Sequence, residues 1–298
     1  MDELLRRLEL QGHGCWIGSH FAGAVCYADD LTLLSPSVEG LQSMIHTCEQ
    51  YAYEFGLQYN TLKSVCMKFS RQSVGQYPGI KLDGTLLTWT THAKHLGITL
   101  SSDLKESKEI MNKRGDFIGR VNTIMANLPH APDDIVLPLF RSQCCHHYGC
   151  QSWDLCDPKT MDYYTMWNRA VRRLLDLPFQ THRRYLPHLA KMPNAESQIF
   201  SRYVQQVKTM CSNRNQLVHY IGHMGTKSAD TIIGRSLHHI CNTTKTPMTE
   251  VLQCRKFVRT ELQCSVEDLC IIRAIADLRD NLIKDFSNHQ FMNFLCTD

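Results

Sequence analysis

Apolar residues recur along this chain with two different periods, and the change falls about a third of the way along. In residues 2–10 the spacing is helical, with Leu4, Leu5 and Leu8 on one face. Gly12, Gly14 and Gly18 then loosen the chain before a strand at 21–27, and a second strand at 31–34 follows a tight turn. Ser35 is positioned to cap a helix with Pro36 at its first position and Glu39 in its first turn. Leu41, Met44, Ile45, Cys48 and Ala52 carry that helix's apolar face as far as Gly56. Short strands are expected at 57–59 and 65–69. In "IKLDGTLLTW" the Asp83-Gly84 pair suits a type I′ turn between apolar strands, and 94–100 reads as one more strand.

After Leu100 the period becomes helical. Helices are predicted over 105–128, with Ile110, Phe117, Val121, Ile124 and Leu128 inward, over 132–149, and over 158–175 with Asp157 as N-cap. Further helices are expected at 195–211, 248–262 and 266–285. The pattern predicts an α+β protein: a small mixed unit at 1–100, a helical region at 101–191 and a helical extension at 192–298.

Composition narrows the picture. With 43% hydrophobic and 20% charged residues, the chain reads as a soluble protein, and no apolar run approaches the ~20 residues of a membrane helix. "MDELLRRLEL" lacks the apolar core of a signal peptide. Fourteen cysteines without such a signal point to reduced thiols inside the cell, cytoplasmic or nuclear. A net charge of +3 permits a nucleic-acid partner without requiring one.

Three stretches carry candidate chemistry. In "FAGAVCYADDLTLLSPS" (21–37) two aspartates stand side by side between apolar runs. A hairpin would present both at one sheet edge, where hard cations such as Mg²⁺ take carboxylates together with substrate phosphates. A polar turn alone also accounts for them. "CCHHYGC" (144–150), read as helix, pairs Cys144 with His147 and His146 with Cys150, too few ligands for a closed zinc site without outside partners such as Cys156 or His130. Small cysteines packed in a core explain the same letters. From 164 to 191, Arg169, Arg172, Arg173, Arg183, Arg184 and Lys191 face the single acid Asp176, interleaved with Tyr164, Trp167, Phe179 and Tyr185. That suits phosphate contacts, and a solvated helix face over a Trp167–Val171 core is the alternative. Farther on, Cys211, His219, His223, Cys241 and Cys254 form no tight ligand spacing.

The motifs, taken in order, resemble the reverse transcriptases of non-LTR, LINE-type retrotransposons. "YADD" (27–30) is similar to the family's catalytic tetrapeptide, and "LQYNTLKSVCMKF" (57–69) to its next palm motif. "KHLGITL" (94–100) is similar to the primer grip. "LFRSQCCHHYGCQSW" (139–153) and "WNRAVRRLLDLP" (167–178) resemble thumb segments. By that resemblance Asp29 is the principal metal ligand and Asp30 its neighbour, with Tyr27 and Ala28 beside the primer terminus. Lys63 lies near the incoming triphosphate, or is a solvated strand-edge lysine. Leu96 and Gly97 turn under the primer strand. The resemblance implies a partial polymerase palm followed by a thumb, Mg²⁺ as cofactor, and RNA template, DNA primer and deoxynucleotide as partners of the intact enzyme, with no membrane.

The family needs a further metal-binding aspartate upstream. The acids before Asp29 are Asp2, Glu3 and Glu9, all in the predicted first helix, and the family's glycine-glutamine-glycine region has no counterpart. The expectation is a polymerase fragment that starts inside the palm, binds no metal tightly and is inactive alone. The alternative is a non-catalytic nucleic-acid-binding module using the basic helices.

Overall fold

In a computed structural model, the structure describes residues 2–69, 78–129 and 131–253. The first third holds α1 (Asp2–Gln11) and two antiparallel hairpins, β1 (Trp16–Ile17) with β2 (His20–Phe21) and β3 (Ala24–Tyr27) with β4 (Asp30–Leu33). There follow α2 (Val38–Glu54), β5 (Val65–Cys66), the hairpin β6 (Lys81–Leu82)–β7 (Thr85–Leu86), β8 (Thr88–Trp89) parallel to β5, and the hairpin β9 (His92–His95)–β10 (Ile98–Ser101). The remainder is helical: α3 (Ser107–Asn127), α4 (Asp133–Cys144), α5 (Pro158–Leu174), α6 (Leu186–Leu189), α7 (Ala195–Cys211), α8 (Gln216–Lys227), α9 (Ile232–Thr244) and α10 (Met248–Gln253). The protein is thus mixed α and β, with short antiparallel ladders ahead of the helices. No helix among the described residues is long and apolar enough to cross a membrane.

The chain divides into two compact units. One takes the residues up to Lys108 together with Thr209–Lys227; the other takes Glu109–Lys208 and, among the described residues, 228–253.

In the first unit, α1 and α2 bury Leu4, Leu8, Met44, Cys48 and Tyr51 against Phe21, Ala24, Leu31 and Leu33. Each large side chain so buried contributes about 1.5–3 kcal/mol. A second cluster gathers Ile45, Cys66, Ile80, Leu82 and Leu87. Gly14 and Gly23 pass back to back beneath the Phe21 ring, where an added Cβ on Gly14 would lie 2.7 Å from the Gly23 Cα and one on Gly23 would lie 2.6 Å from the Gly14 Cα. α8 joins this unit from far along the sequence, its Tyr220 ring 5.4 Å from that of His20. In the second unit the core is aromatic: Phe117, Phe140, Tyr163, Trp153 and Trp167 are all buried, with edge-on contacts such as Trp153–Tyr163 at 5.1 Å.

Several expectations hold closely. Asp83 (φ 48) and Gly84 (φ 74) form the loop of the β6–β7 hairpin, both left-handed as a type I′ turn requires. Asp157 caps α5 by accepting from the Lys159 amide at 2.7 Å, and α7 runs over 195–211 as expected. Others are corrected. The cap of α2 is Ser37, which accepts from the Gly40 amide at 3.0 Å, while the Ser35 hydroxyl donates to the His13 carbonyl. Residues 57–59 form no strand: Gly56 (φ 63) closes α2, and the Leu57 amide is spent on the Ala52 carbonyl at 2.8 Å. The strand expected at 65–69 is only β5. The run 94–100 is not one strand, because Leu96 (φ 48) and Gly97 (φ 77) turn it into a hairpin. The strand at 21–27 splits into β2 and β3 around Gly23.

The helix at 132–149 stops at Cys144, with His147 (φ 45) and Gly149 (φ 85) left-handed. α8 and α9 arise where no helix was expected. Of the helices placed at 248–262 and 266–285, only α10 falls within the described residues, and His130 and Cys254 lie outside them.

Candidate active site and nucleic-acid surface

The β3–β4 ladder pairs Ala24 with Leu33, Val25 with Thr32, Cys26 with Leu31 and Tyr27 with Asp30. Side chains alternate across a strand, so Ala24, Leu31 and Leu33 face α1 and α2, and Tyr27 and Asp30 share the outer face with Val25 and Thr32. The loop consists of Ala28 and Asp29. Ala28 has φ 52, a left-handed conformation that costs a residue with a Cβ roughly 1–2 kcal/mol, and the buried inner face holds it there. Asp29 and Asp30 are therefore exposed neighbours at the tip of a hairpin anchored by its apolar side, and Tyr27 beside them is 64% exposed. Among the described residues neither carboxylate has an ion-pair partner. As hard oxygen donors left uncommitted, they fit the one or two protein positions of a Mg²⁺ site completed by substrate oxygens. No group of three or more metal-ligating side chains occurs among the described residues.

The other residues singled out in this unit stand on separate turns. Lys63 is exposed at the end of a turn built by Asn60, whose side-chain and main-chain oxygens both accept from the Lys63 amide, at 3.1 and 3.2 Å. The asparagine and lysine of the Asn-x-x-Lys pattern are thus linked through local backbone, not through a strand. Leu96 and Gly97 form the β9–β10 loop.

The basic region of the second unit divides in a way its spacing does not announce. Arg172 turns inward: its Nε and Nη2 both donate to the Thr181 carbonyl, at 3.0 and 2.8 Å, and its guanidinium lies 5.9 Å from the Phe179 ring centre. Burial, with Arg169 nearby, holds its pKa below the usual arginine value. Asp176 (φ 46) ends α5 and swings the chain back to make this clamp, with the Leu177 amide returning to the Arg172 carbonyl at 2.8 Å. Arg184 packs over Tyr185 at 4.7 Å and donates to its hydroxyl. Arg183 is exposed on the same loop.

Arg169 and Arg173, one helical turn apart, line a cleft of about 460 Å³ with Arg114 of α3. Arg173 donates to Asn122 at 3.3 Å. Sequence reasoning missed Arg114. Its spacing to Phe117, Ile118 and Val121 puts it on the flank of the buried stripe of α3, but only the packing of α5 brings it opposite Arg169.

The "CCHHYGC" stretch is structural. His147 is buried, with Nδ1 3.1 Å from the Tyr163 hydroxyl and Nε2 3.2 Å from Gln198 Oε1. The Gln198 amide nitrogen is held by the Pro193 carbonyl, so Oε1 accepts, and His147 is the Nε2–H tautomer taking a bond from Tyr163. Burial, reinforced by Arg202, pushes its pKa down to about 4. Burial also raises the thiols of Cys144 and Cys150 to about 12 and that of Cys145 to about 11, so all three stay protonated and inert. The face-sharing expected of Cys144 with His147 and of His146 with Cys150 does not arise, because the helix ends first.

No family model matches the chain. Over 229 residues, 72% of its length, it is 24% identical to the RNA-directed DNA polymerase from mobile element jockey of Drosophila melanogaster, covering 25% of that protein. Over 204 residues, 61% of its length, it is 24% identical to the probable RNA-directed DNA polymerase from transposon BS of the same organism, covering 22% of it. The resemblance to retrotransposon reverse transcriptases carried by the motifs is met again in both matches. The chain spans about a quarter of the length of these curated relatives.

Proposed function

We propose that this chain is a portion of an intracellular RNA-directed DNA polymerase, comprising palm elements followed by a helical thumb and extension. The observation that carries the reading is the β3–β4 hairpin, which leaves Asp29 in its loop and Asp30 at the start of β4 exposed and uncommitted, in a chain similar to two such polymerases. In this role Asp29 and Asp30 would hold Mg²⁺, which would supply charge neutralisation for the triphosphate and a lowered pKa for the attacking hydroxyl. Tyr27 lies against the primer end on the same face as Asp30. Lys63 is the nearest candidate in sequence for a triphosphate contact. Leu96 and Gly97 turn beneath the primer, and Arg169, Arg173 and Arg183 supply positive charge for RNA template and DNA primer. With no third carboxylate grouped with these two among the described residues, the isolated chain holds Mg²⁺ weakly and does not extend a primer.

The test uses Mn²⁺ as a paramagnetic stand-in for Mg²⁺. Amide signals of residues 27–31 should broaden on titration, and Asp29→Asn should abolish the effect. Failure of the hairpin signals to respond removes the metal role. Robust primer extension by the isolated chain, lost in Asp29→Ala, overturns the claim of inactivity.

A further inference from the structure

The cleft between α3 and α5 combines two chemistries that a phosphate-contact surface alone does not need. Its floor is apolar, formed by Phe117, Ile118, Val121, Met166 and Ala170, with Ile118 still 38% exposed. Its rim carries Arg114 from one helix and Arg169 and Arg173 from the other. Among the described residues, Arg114 and Arg169 have no carboxylate partner. The one acid on the rim, Asp162, is held loosely by Lys159 at 3.6 Å.

We infer that this cleft takes single-stranded nucleic acid, seating an unpaired base on the apolar floor while the flanking phosphates lie on Arg114, Arg169 and Arg173. This rests on the nucleic-acid reading above and deepens it. A duplex keeps its bases stacked inside, so it can use the arginines but not the floor. A single strand can splay one base out and bury it, and because every base has an apolar face the contact tolerates any sequence. At about 460 Å³ the cleft is within the range of small-ligand sites and accommodates one nucleoside unit. Asp162 is suited to accept from an exocyclic base amine, a use for an acid that phosphate binding alone would make a liability.

The test measures fluorescence anisotropy of the full chain with a labelled strand of about 12 nucleotides, the same strand made abasic, and the corresponding duplex. The single strand should bind about tenfold tighter than the duplex and at least about fivefold tighter than the abasic strand. Ile118→Ser, a neutral change at a partly exposed position, should erase most of the difference between base-bearing and abasic strands and leave duplex binding unchanged. Arg114→Ala should flatten the salt slope for the single strand by about 0.7. If duplex binds as well as single strand and the abasic strand binds no worse, the cleft plays no part and the inference fails while nucleic-acid binding stands. If none of the three binds, both readings fall. The abasic arm needs no altered protein, so misfolding of a variant cannot mask the answer.

Discussion

The β3–β4 hairpin and the basic stretch at and after α5 both stand out in sequence for their charge, yet the fold treats them in opposite ways. At the hairpin, the apolar face is taken by α1 and α2 and both aspartates are left free. After α5, Arg172 is consumed by the Thr181 carbonyl and Arg184 by Tyr185, so part of the basic cluster holds its own loop together. A charge that the protein needs for itself is a poor candidate for a ligand contact. A charge that the fold leaves exposed and unpaired must be explained by something outside the chain or by solvation. The difference lowers the standing of Arg172 as a phosphate contact and raises that of Arg169 and Arg114.

The strongest way to sharpen this contrast is through His147, a buried titratable group hydrogen-bonded at both ring nitrogens. Its folded pKa of about 4 lies below the unfolded value of 6.5. Between those values the unfolded chain binds a proton that the folded one refuses, so stability is full above pH 6.5 and falls as pH drops toward 4. The loss from this group should approach about 3 kcal/mol. Urea denaturation across pH 4 to 7 should show that fall, and His147→Gln should largely remove this pH dependence. A flat profile in the parent would mean that His147 is solvated.

Next in size is Arg172→Ala, which strands the Thr181 carbonyl and should cost about 1.5–3 kcal/mol, whereas Arg169→Ala should stay within about 0.5 kcal/mol. Equal effects by denaturant midpoint would abolish the distinction between clamp and free arginine. Smaller still, Ala28→Gly should stabilise the hairpin by at most about 1 kcal/mol, because the relief of the left-handed strain is partly offset by the freer unfolded chain. A loss of stability there would show that the Ala28 methyl packs against something the fold requires. Smallest, Asp29→Asn and Asp30→Asn should leave the melting temperature unchanged or slightly raised, since two adjacent like charges without partners cost the fold something and stabilise nothing. A marked fall in melting temperature would reveal a structural role for the pair.

Much of the architecture was legible because local signals agreed with each other. Helices α1, α2, α3, α5 and α7 follow from apolar spacing, and the β6–β7 turn follows from Asp83-Gly84. Where the reading failed, either a local backbone turn or a longer-range contact won. The Leu57 amide closes α2, so no strand forms at 57–59. Leu96 adopts a left-handed conformation that leucine does not advertise, and a single apolar run becomes two strands. α8 joins the first unit through Tyr220 and His20, residues that carry no periodic signal linking them.

The candidate site divides along the same line. The sequence by itself determined that two carboxylates stand at a turn between apolar strands, because alternation and turn chemistry act over a few neighbouring residues. It also determined that α5 carries a cluster of arginines. Which of those arginines remain available was decided only in three dimensions, by Asp176 reversing the chain so that the Thr181 carbonyl meets Arg172, and by α3 bringing Arg114 beside Arg169. The clamp depends on a left-handed turn between Arg172 and Thr181, and the cleft walls come from α3 and α5, far apart along the chain; apolar spacing within one helix carries no information about either.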